Sequence, residues 1–149
     1  AQDEEDEDEP KVAPGLIAAY FMPDEMKPTA ARVETEVQHA WGSDRPDLRL
    51  PAGRFFAQWQ GLLFTQATGE YRFYIYAGGG RVRLKLKDQT LLDVEAGEPA
   101  WHLTEPLKLG DAHSPLELTF TKTAEPAVLK LNWSGPQFAV EPIPDRHLF

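Results

Sequence analysis

The side chains that most often perform chemistry are present but widely spaced. The four histidines are His39, His102, His113 and His147, and no two of them are closer than eleven positions. None therefore has the i, i+2 or i, i+4 spacing with which neighbouring histidines bind one metal ion. The absence of cysteine excludes thiolate zinc sites, disulfides and a cysteine nucleophile. We expect no metal and no other cofactor.

Hydrolytic chemistry has little support in the sequence. A glycosidase needs two carboxylates that face each other across a cleft, and many serine hydrolases place the nucleophile in a Gly-x-Ser-x-Gly turn. None of the serines Ser43, Ser114 and Ser134 stands in such a turn, and the acidic residues beyond the N-terminal segment are scattered. The sequence predicts that the chain is not an enzyme.

A row of cations is the most distinctive charged feature. In the segment 81–87, the cations Arg81, Arg83, Lys85 and Lys87 alternate with aliphatic residues. A strand would place these cations on one outward face, because side chains alternate along it with a period of two. One interpretation is a solvated face that also protects a sheet edge from self-association. The other is a docking face for an acidic partner or an anionic polysaccharide, with Arg81 and Arg83 as its candidate residues.

The four tryptophans fall into two groups. Trp59 and Trp133 are in phase with apolar strand positions, so we expect both in the core. Trp41 and Trp101 stand beside turns in less regular sequence. Either of these two could present a platform for a sugar ring, and partial burial is the alternative.

The elements that must position these residues are strands. Turn-forming clusters recur about every ten residues after Gly15, which is typical of antiparallel sandwiches and barrels. Segments such as 81–87 and 116–121 alternate apolar and polar residues, and no long stretch has a helical period. We predict an all-β fold, an antiparallel β-sandwich of about ten strands, at 15–21, 33–39, 54–65, 70–77, 81–87, 90–95, 101–109, 115–122, 127–133 and 138–142.

Glycines predict two local features of this sandwich. Gly78, Gly79 and Gly80 form a run that fits the tight turn of a hairpin, where glycine reaches positive φ without strain. Gly61 interrupts the third predicted strand, and we expect a β-bulge there.

Charge separates a leader from a domain. The net charge is −9, but seven of the 24 acidic residues lie between Asp3 and Glu9, so the remainder carries 17 acidic against 15 basic residues. We predict a disordered acidic leader at 1–14 and a single domain at 15–149. The acidic balance argues against nucleic-acid binding, and the short apolar runs argue against membrane insertion.

Several segments, in order, resemble one known family. Residues 15–21 read Gly-Leu-Ile-Ala-Ala-Tyr-Phe, residues 55–63 contain Phe-x-x-x-Trp-x-Gly-x-Leu, residues 69–73 read Gly-x-Tyr-x-Phe, and residues 127–133 end in Leu-x-Trp. Together they resemble the PA-fourteen (protective-antigen) family, over about residues 15 to 145. The resemblance implies a β-sandwich module of the kind found in bacterial toxins, glycosidases, secreted proteins and yeast adhesins.

The resemblance also implies a site and a departure from it. In the carbohydrate-binding members of the family, two consecutive aspartates bind a calcium ion, and the ion coordinates sugar hydroxyls. These aspartates align with Gly78 and Gly79. Glycine has no side-chain oxygen, whereas calcium needs six to eight oxygen ligands. We therefore expect a divergent member without the calcium site, and keep Gly78 and Gly79 as candidate ligand-binding positions beside Arg81, Arg83, Trp41 and Trp101.

The function that follows is binding. We predict a non-catalytic accessory module of a larger secreted bacterial protein, located outside the cell, in the periplasm or on the cell surface, that recognises a carbohydrate or cell-surface glycan. The absence of an initiating methionine and the apolar end at Phe149 suggest a piece of a longer chain. The alternative is a structural spacer that docks against a neighbouring domain of its parent protein.

Overall fold

The computed structural model describes residues 14–149 and contains two antiparallel sheets. The acidic leader predicted at 1–14 lies outside the described residues, except for Pro14. The strands of the described part are β1 (Leu16–Phe21), β2 (Ala30–Glu34), β3 (Gln38–Gly42), β4 (Phe56–Thr65), β5 (Gly69–Gly78), β6 (Gly80–Leu86), β7 (Gln89–Ala96), β8 (Ala100–Leu103), β9 (Leu107–Leu109), β10 (Ala112–Lys122), β11 (Ala127–Gly135) and β12 (Phe138–Pro142). A short 3₁₀-helix follows at Asp145–His147.

The two sheets pack as a sandwich. The first sheet has the order β2-β1-β4-β10-β6-β7, and the second has the order β12-β11-β5-β8. Strand β3 shares one edge of β11 with β12, and β9 shares one edge of β5 with β8. The predicted antiparallel β-sandwich is confirmed. Within residues 14–149, no helix has the length and hydrophobicity that a membrane crossing requires.

Alternation along the strands builds the core. Val82 and Leu84 are buried on β6 while Arg81 and Arg83 are exposed, as the period of two predicts. The predicted core tryptophans Trp59 and Trp133 are both 0% exposed, one on each sheet. Each ring therefore removes a large apolar area from water.

Two segments that were predicted as single strands each form two strands in the structure, because the chain turns or changes sheets within them. The segment predicted at 33–39 is the end of β2, which pairs with β1, and the start of β3, which pairs with β11 of the other sheet. The segment predicted at 101–109 is β8 and β9, which both pair with β5 but are separated at Thr104, whose hydroxyl accepts a hydrogen bond from the Phe73 amide. Twelve strands therefore replace the predicted ten in the described residues.

The bulge predicted at Gly61 is wrong. The register of β4 against β10 runs without interruption through this residue. The glycine instead makes room for the C-terminal residue, because a Cβ atom here would lie 2.5 Å from the carbonyl oxygen of Phe149. Backbone hydrogen bonds between Leu62 and Phe149 hold that end of the chain in place.

The hairpin predicted at the triple glycine is also wrong. Strand β5 belongs to the second sheet and β6 to the first, so Gly79 lies where the chain crosses between the layers. Its φ is +74°, and a Cβ atom on it would lie 2.6 Å from the carbonyl oxygens of Ala124 and Pro126. The backbone of Gly79 donates to the Gly97 carbonyl and accepts from the amides of Thr123 and Ala124. The crossing needs glycine for both conformation and space.

A buried carboxylate ties the first sheet to β3. Glu34 is 9% exposed and accepts hydrogen bonds from the Tyr20 hydroxyl at 2.5 Å, the Trp59 indole nitrogen at 2.8 Å and the Arg32 Nε at 3.0 Å. The Nε2 of His39, on β3, lies 2.6 Å from Oε1 of Glu34, the oxygen that also accepts from Trp59. Burial alone would raise the pKa of Glu34, but hydrogen bonds from His39, Trp59 and Tyr20 outweigh it and lower the pKa to about 2.

The same network extends into the loop that follows β3. The Arg32 guanidinium donates to Asp47 at 3.1 Å and to the carbonyl oxygen of Pro46. Asp47 accepts in turn from Arg49, whose hydrogen bonds are the main reason why the pKa of Asp47 lies below its ordinary value. The loop between β3 and β4 is thereby held against the edge of the first sheet, with Leu50 buried beneath it.

We expect Gly79→Ala to destabilise the domain by at least about 2 kcal/mol, because alanine meets both an unfavourable φ and two carbonyl oxygens. Chemical denaturation would measure the change. The matched control is Gly97→Ala in the adjoining turn, where a Cβ atom meets no other atom within 4 Å. That variant should retain the free energy of unfolding of the parent, and equal stability of the two variants would contradict the crossing geometry.

We expect Glu34→Gln to lower the free energy of unfolding at pH 7 by about 3 kcal/mol, because a carboxylate pKa held near 2 stabilises the folded state. The contribution is complete above the pKa of 4.5 that Glu34 has when unfolded and is lost as the pH falls towards 2. Urea denaturation at pH 7 and at pH 3 should therefore show the difference from the parent shrinking at the lower pH. Glu98→Gln, at an exposed position, is the control, and a difference that is independent of pH would disprove the account.

Candidate functional site

The candidate residues from the sequence do not form one site. Gly78 and Gly79 are buried in the crossing between the sheets. Arg81 and Arg83 lie on the outer face of the first sheet, and Trp101 lies on the outer face of the second. Each location therefore has to be considered by itself.

Trp41 packs against one side of the core. Its ring stacks on the His39 imidazole with centroids 4.7 Å apart and planes 8° apart, and its edge meets Phe55 at 5.1 Å. The side chain is half-buried against the core, as the alternative of partial burial predicted. Because His39 covers one face of the indole and two buried phenylalanine rings also contact it, Trp41 offers a ligand little free ring surface.

The basic row is partly neutralised by one carboxylate. Arg81 donates to both oxygens of Asp93 at 2.9 and 3.0 Å, and Arg83 contacts the same side chain at 3.1 Å. Hydrogen bonds from Arg81 are the main reason why the pKa of Asp93 is lowered. With Lys85 and residues of β4 and β10, these arginines line a shallow groove of about 320 Å³. Lys87 belongs to the turn after β6, with φ of 53°, and not to the strand.

An aromatic surface covers the outer face of the second sheet. Trp101 on β8 is opposite Tyr76 on β5, with ring centroids 5.1 Å apart, and Leu103 is opposite Tyr74. Trp101 is 50% exposed and Leu103 43% exposed. We call the surface formed by Tyr74, Tyr76, Trp101 and Leu103 the aromatic platform.

Polar groups border the aromatic platform on the next strand. On β11, Lys130 is opposite Tyr76, and its ammonium lies 5.9 Å from that ring, while Asn132 is opposite Tyr74. The Asn132 side-chain oxygen accepts from the amide of Gln38 at 2.9 Å. The Ser134 hydroxyl donates to the Tyr74 hydroxyl at 3.2 Å. Flat rings and hydrogen-bonding groups therefore share one solvent-facing surface.

Most of the aromatic platform could not be predicted from the sequence. The sequence indicated Trp101 as a possible platform for a sugar ring, but not the rings that lie beside it. The pairing of β8 with β5, which places Trp101 against Tyr76, is a long-range contact that no local pattern contains. To predict the aromatic platform, one has to know which strands pair, and the sequence pattern does not give that.

The calcium site that the family resemblance implies does not fit these residues. A Cβ atom on Gly78 would lie 2.8 Å from the backbone of Pro99, and one on Gly79 would lie 2.6 Å from two carbonyl oxygens. Carboxylates therefore have no space at either position. Within residues 14–149, no group of three or more histidine, aspartate or glutamate side chains is arranged to hold a metal ion.

Comparison with known proteins agrees with this architecture. The anti-sigma-I factor RsgI3 of Acetivibrio thermocellus is 30% identical over 139 residues, which are 91% of this chain and 21% of that protein, so the chain spans about a fifth of the relative. An anti-sigma factor domain-containing protein from Clostridium clariflavum superposes with a TM-score of 0.81 at 21% identity, over 91% of this chain and 47% of that one. A PA14 sugar-binding domain from an RTX adhesin gives 0.77 at 15% identity, over 92% and 98%.

The family assignment rests on a match to most of the chain. The family model described as the PA14 domain matches residues 12–137. This confirms the resemblance that the strand motifs indicated. The chain belongs to the PA14 domain family.

Proposed function

We propose that this chain is a carbohydrate-recognition module that binds glycans on the aromatic platform and needs no calcium. The observation that carries the proposal is the half-exposed Trp101 ring beside Tyr76 on a solvent-facing sheet. The similarity to a PA14 domain that is described as sugar-binding supports it. The chain acts by binding and not by catalysis.

The chemistry of the aromatic platform suits a sugar. One face of a pyranose ring presents C–H groups, which pack favourably against the electron-rich face of an indole or phenol ring. Hydroxyl groups at the ring's edge need hydrogen-bond partners, and Lys130, Asn132 and Ser134 supply donors and acceptors beside the rings. Exposed apolar surface bordered by polar groups is typical of an interaction site.

Independence from calcium follows from the crossing between the sheets. Gly78 and Gly79 provide neither side-chain oxygens nor space for them. Recognition on the aromatic platform uses ring stacking and hydrogen bonds instead. The glycan-binding surface of this chain is therefore displaced from the loop that Gly78 and Gly79 occupy.

A second candidate function is docking against a neighbouring domain. Ile17 and Val33 are paired across β1 and β2 on the outer face of the first sheet, and they are 55% and 56% exposed. The same face carries Arg81 and Arg83, the sequence candidates for binding an acidic partner or anionic polysaccharide. The relative RsgI3 is about five times longer than the matched region, which is the context that a docking module would have. In this alternative the domain is a spacer in a larger protein.

The parent protein is proposed to be exported. Glycans that a domain of this kind would meet lie at the cell surface or outside it, which favours a secreted, periplasmic or surface location. The proposal is that this chain is the extracellular recognition part of a longer bacterial protein. The similarity to RsgI3 favours a parent that is an anti-sigma factor.

We expect Trp101→Ala to weaken polysaccharide binding about tenfold, which corresponds to the loss of about 1.4 kcal/mol of stacking and burial. Affinity gel electrophoresis against a panel of soluble plant and microbial polysaccharides would measure it, followed by calorimetry with the best ligand. The matched control is the double variant Arg81→Ala with Arg83→Ala on the opposite face. Loss of binding in the arginine variant and not in Trp101→Ala would favour the first sheet instead and contradict the proposal.

We expect the same binding in excess EDTA and in millimolar calcium, because no carboxylate pair is available at Gly78 and Gly79. Calorimetry under the two conditions would compare the dissociation constants. Unfolding curves in both buffers serve as the control for a general effect on stability. Abolition of binding by EDTA would show that a metal takes part.

A further inference from the structure

A second concave site lies at the other end of the sandwich. Strand β5 begins near Tyr71 and ends at Gly78, and a pocket of about 530 Å³ opens beside its beginning. The end of β4, the end of β11, β12 and the short 3₁₀-helix surround this pocket, which we call the β12 pocket. It is separate from the aromatic platform, which occupies the outer face of the second sheet.

Aromatic rings line the β12 pocket. Trp133 packs against Phe138 with centroids 5.1 Å apart, against Tyr71 at 5.4 Å and against His147 at 5.1 Å. Phe64 and Phe138 are half-buried and present ring surface to the pocket, whereas Trp133 and Tyr71 are 0% and 2% exposed and support these walls from the core. Buried neighbours hold these rings in place, so the walls of the pocket are preformed.

Unused hydrogen-bonding capacity faces the same space. One carboxylate oxygen of Glu141 accepts from the Trp133 indole nitrogen at 3.2 Å, which leaves the second oxygen. The Nδ1 of His147 lies 2.9 Å from the carbonyl oxygen of Phe64 and donates to it, which assigns Nε2 as an acceptor in the neutral ring. The Arg146, Gln66 and Gln137 side chains line the pocket and make no side-chain hydrogen bond within residues 14–149.

The charges in the pocket disfavour a ligand that carries a net charge. Glu141 and Arg146 line one pocket with opposite charges, so an anionic ligand meets repulsion from one and a cationic ligand from the other. A wholly apolar ligand would use none of the hydrogen-bonding capacity of the carboxylate, the guanidinium and the two amides. A neutral ring with many hydroxyl groups satisfies these donors and acceptors and also packs on the aromatic walls.

We propose that the β12 pocket binds a single neutral pyranose unit. Its volume lies within the range of about 300–1,000 Å³ that is usual for small-molecule sites. The chain then contacts carbohydrate in two ways, with the aromatic platform meeting an extended glycan surface and the β12 pocket enclosing one sugar. The second site does not depend on the first, and either can fail alone.

The Trp133 indole provides a reporter inside the pocket, because its N–H donates to Glu141. Titration with glucose, galactose, mannose and N-acetylglucosamine, followed by two-dimensional ¹H–¹⁵N spectra, should shift the Trp133 indole signal in a saturable way with at least one sugar. We expect a dissociation constant in the millimolar range, as is usual for a ligand of this size, so titrations run to about 50 mM.

Variants distinguish this site from others. Arg146→Ala, at an exposed side chain, should weaken monosaccharide binding about tenfold through the loss of a charged donor. Glu141→Gln keeps an oxygen for the Trp133 indole and should also weaken binding. Trp101→Ala is the control and should leave the titration of the Trp133 signal unchanged.

Three results would overturn the proposal. The first is that none of the four sugars shifts the Trp133 signal in a saturable way. The second is that Arg146→Ala and Glu141→Gln bind monosaccharide with the same affinity as the parent. The third is that Trp101→Ala abolishes the titration of the Trp133 signal. The last result would place monosaccharide binding on the aromatic platform. Polysaccharide binding that is lost in Trp101→Ala while no monosaccharide binds would keep the proposed function and remove only the β12 pocket.

Discussion

The passage of the backbone between the two sheets at Gly79 constrains the rest of the structure. The chain enters the passage on β5 of one layer and leaves it on β6 of the other, against carbonyl oxygens that leave no room for a Cβ atom. Because the two strands lie in different layers, their outward side chains point to opposite sides of the molecule. The tyrosines of β5 and the arginines of β6, close in sequence, therefore end on separate surfaces. Gly78 and Gly79 also provide no carboxylate for a calcium ion, and a larger side chain would not fit at either position.

Two outer faces with different chemistry follow from this arrangement. The face of the second sheet carries Trp101 and Tyr76 with polar groups beside them, which favours ring stacking with a sugar. The face of the first sheet carries arginines whose charge is shared with Asp93, so its electrostatic attraction for anions is reduced. This difference is the physical reason for assigning glycan recognition to the second sheet.

Rigidity of the scaffold has a separate origin. Glu34 accepts hydrogen bonds from the first sheet and contacts His39 of β3, and Arg32 extends the network to Asp47 in the following loop. A buried carboxylate is stable only when its partners compensate for the lost water, and here hydrogen bonds from Tyr20 and Trp59 do so. The sequence did not predict this cluster. Glu34 and His39 are five residues apart in the chain, but their strands belong to different sheets, and only the packing of the sheets brings the two side chains together.

The amino-acid sequence was sufficient to predict the fold class, the family, the outward direction of Arg81 and Arg83, and the burial of Trp59 and Trp133. These properties depend on alternation and on local motifs, which neighbouring residues specify. Three features became visible only in the folded chain: the triple glycine is a crossing and not a hairpin, Trp101 contacts Tyr76, and Glu34 contacts four side chains. Each of these depends on which strands pair across long sequence separations, and a local pattern contains no information about the partner of a strand edge.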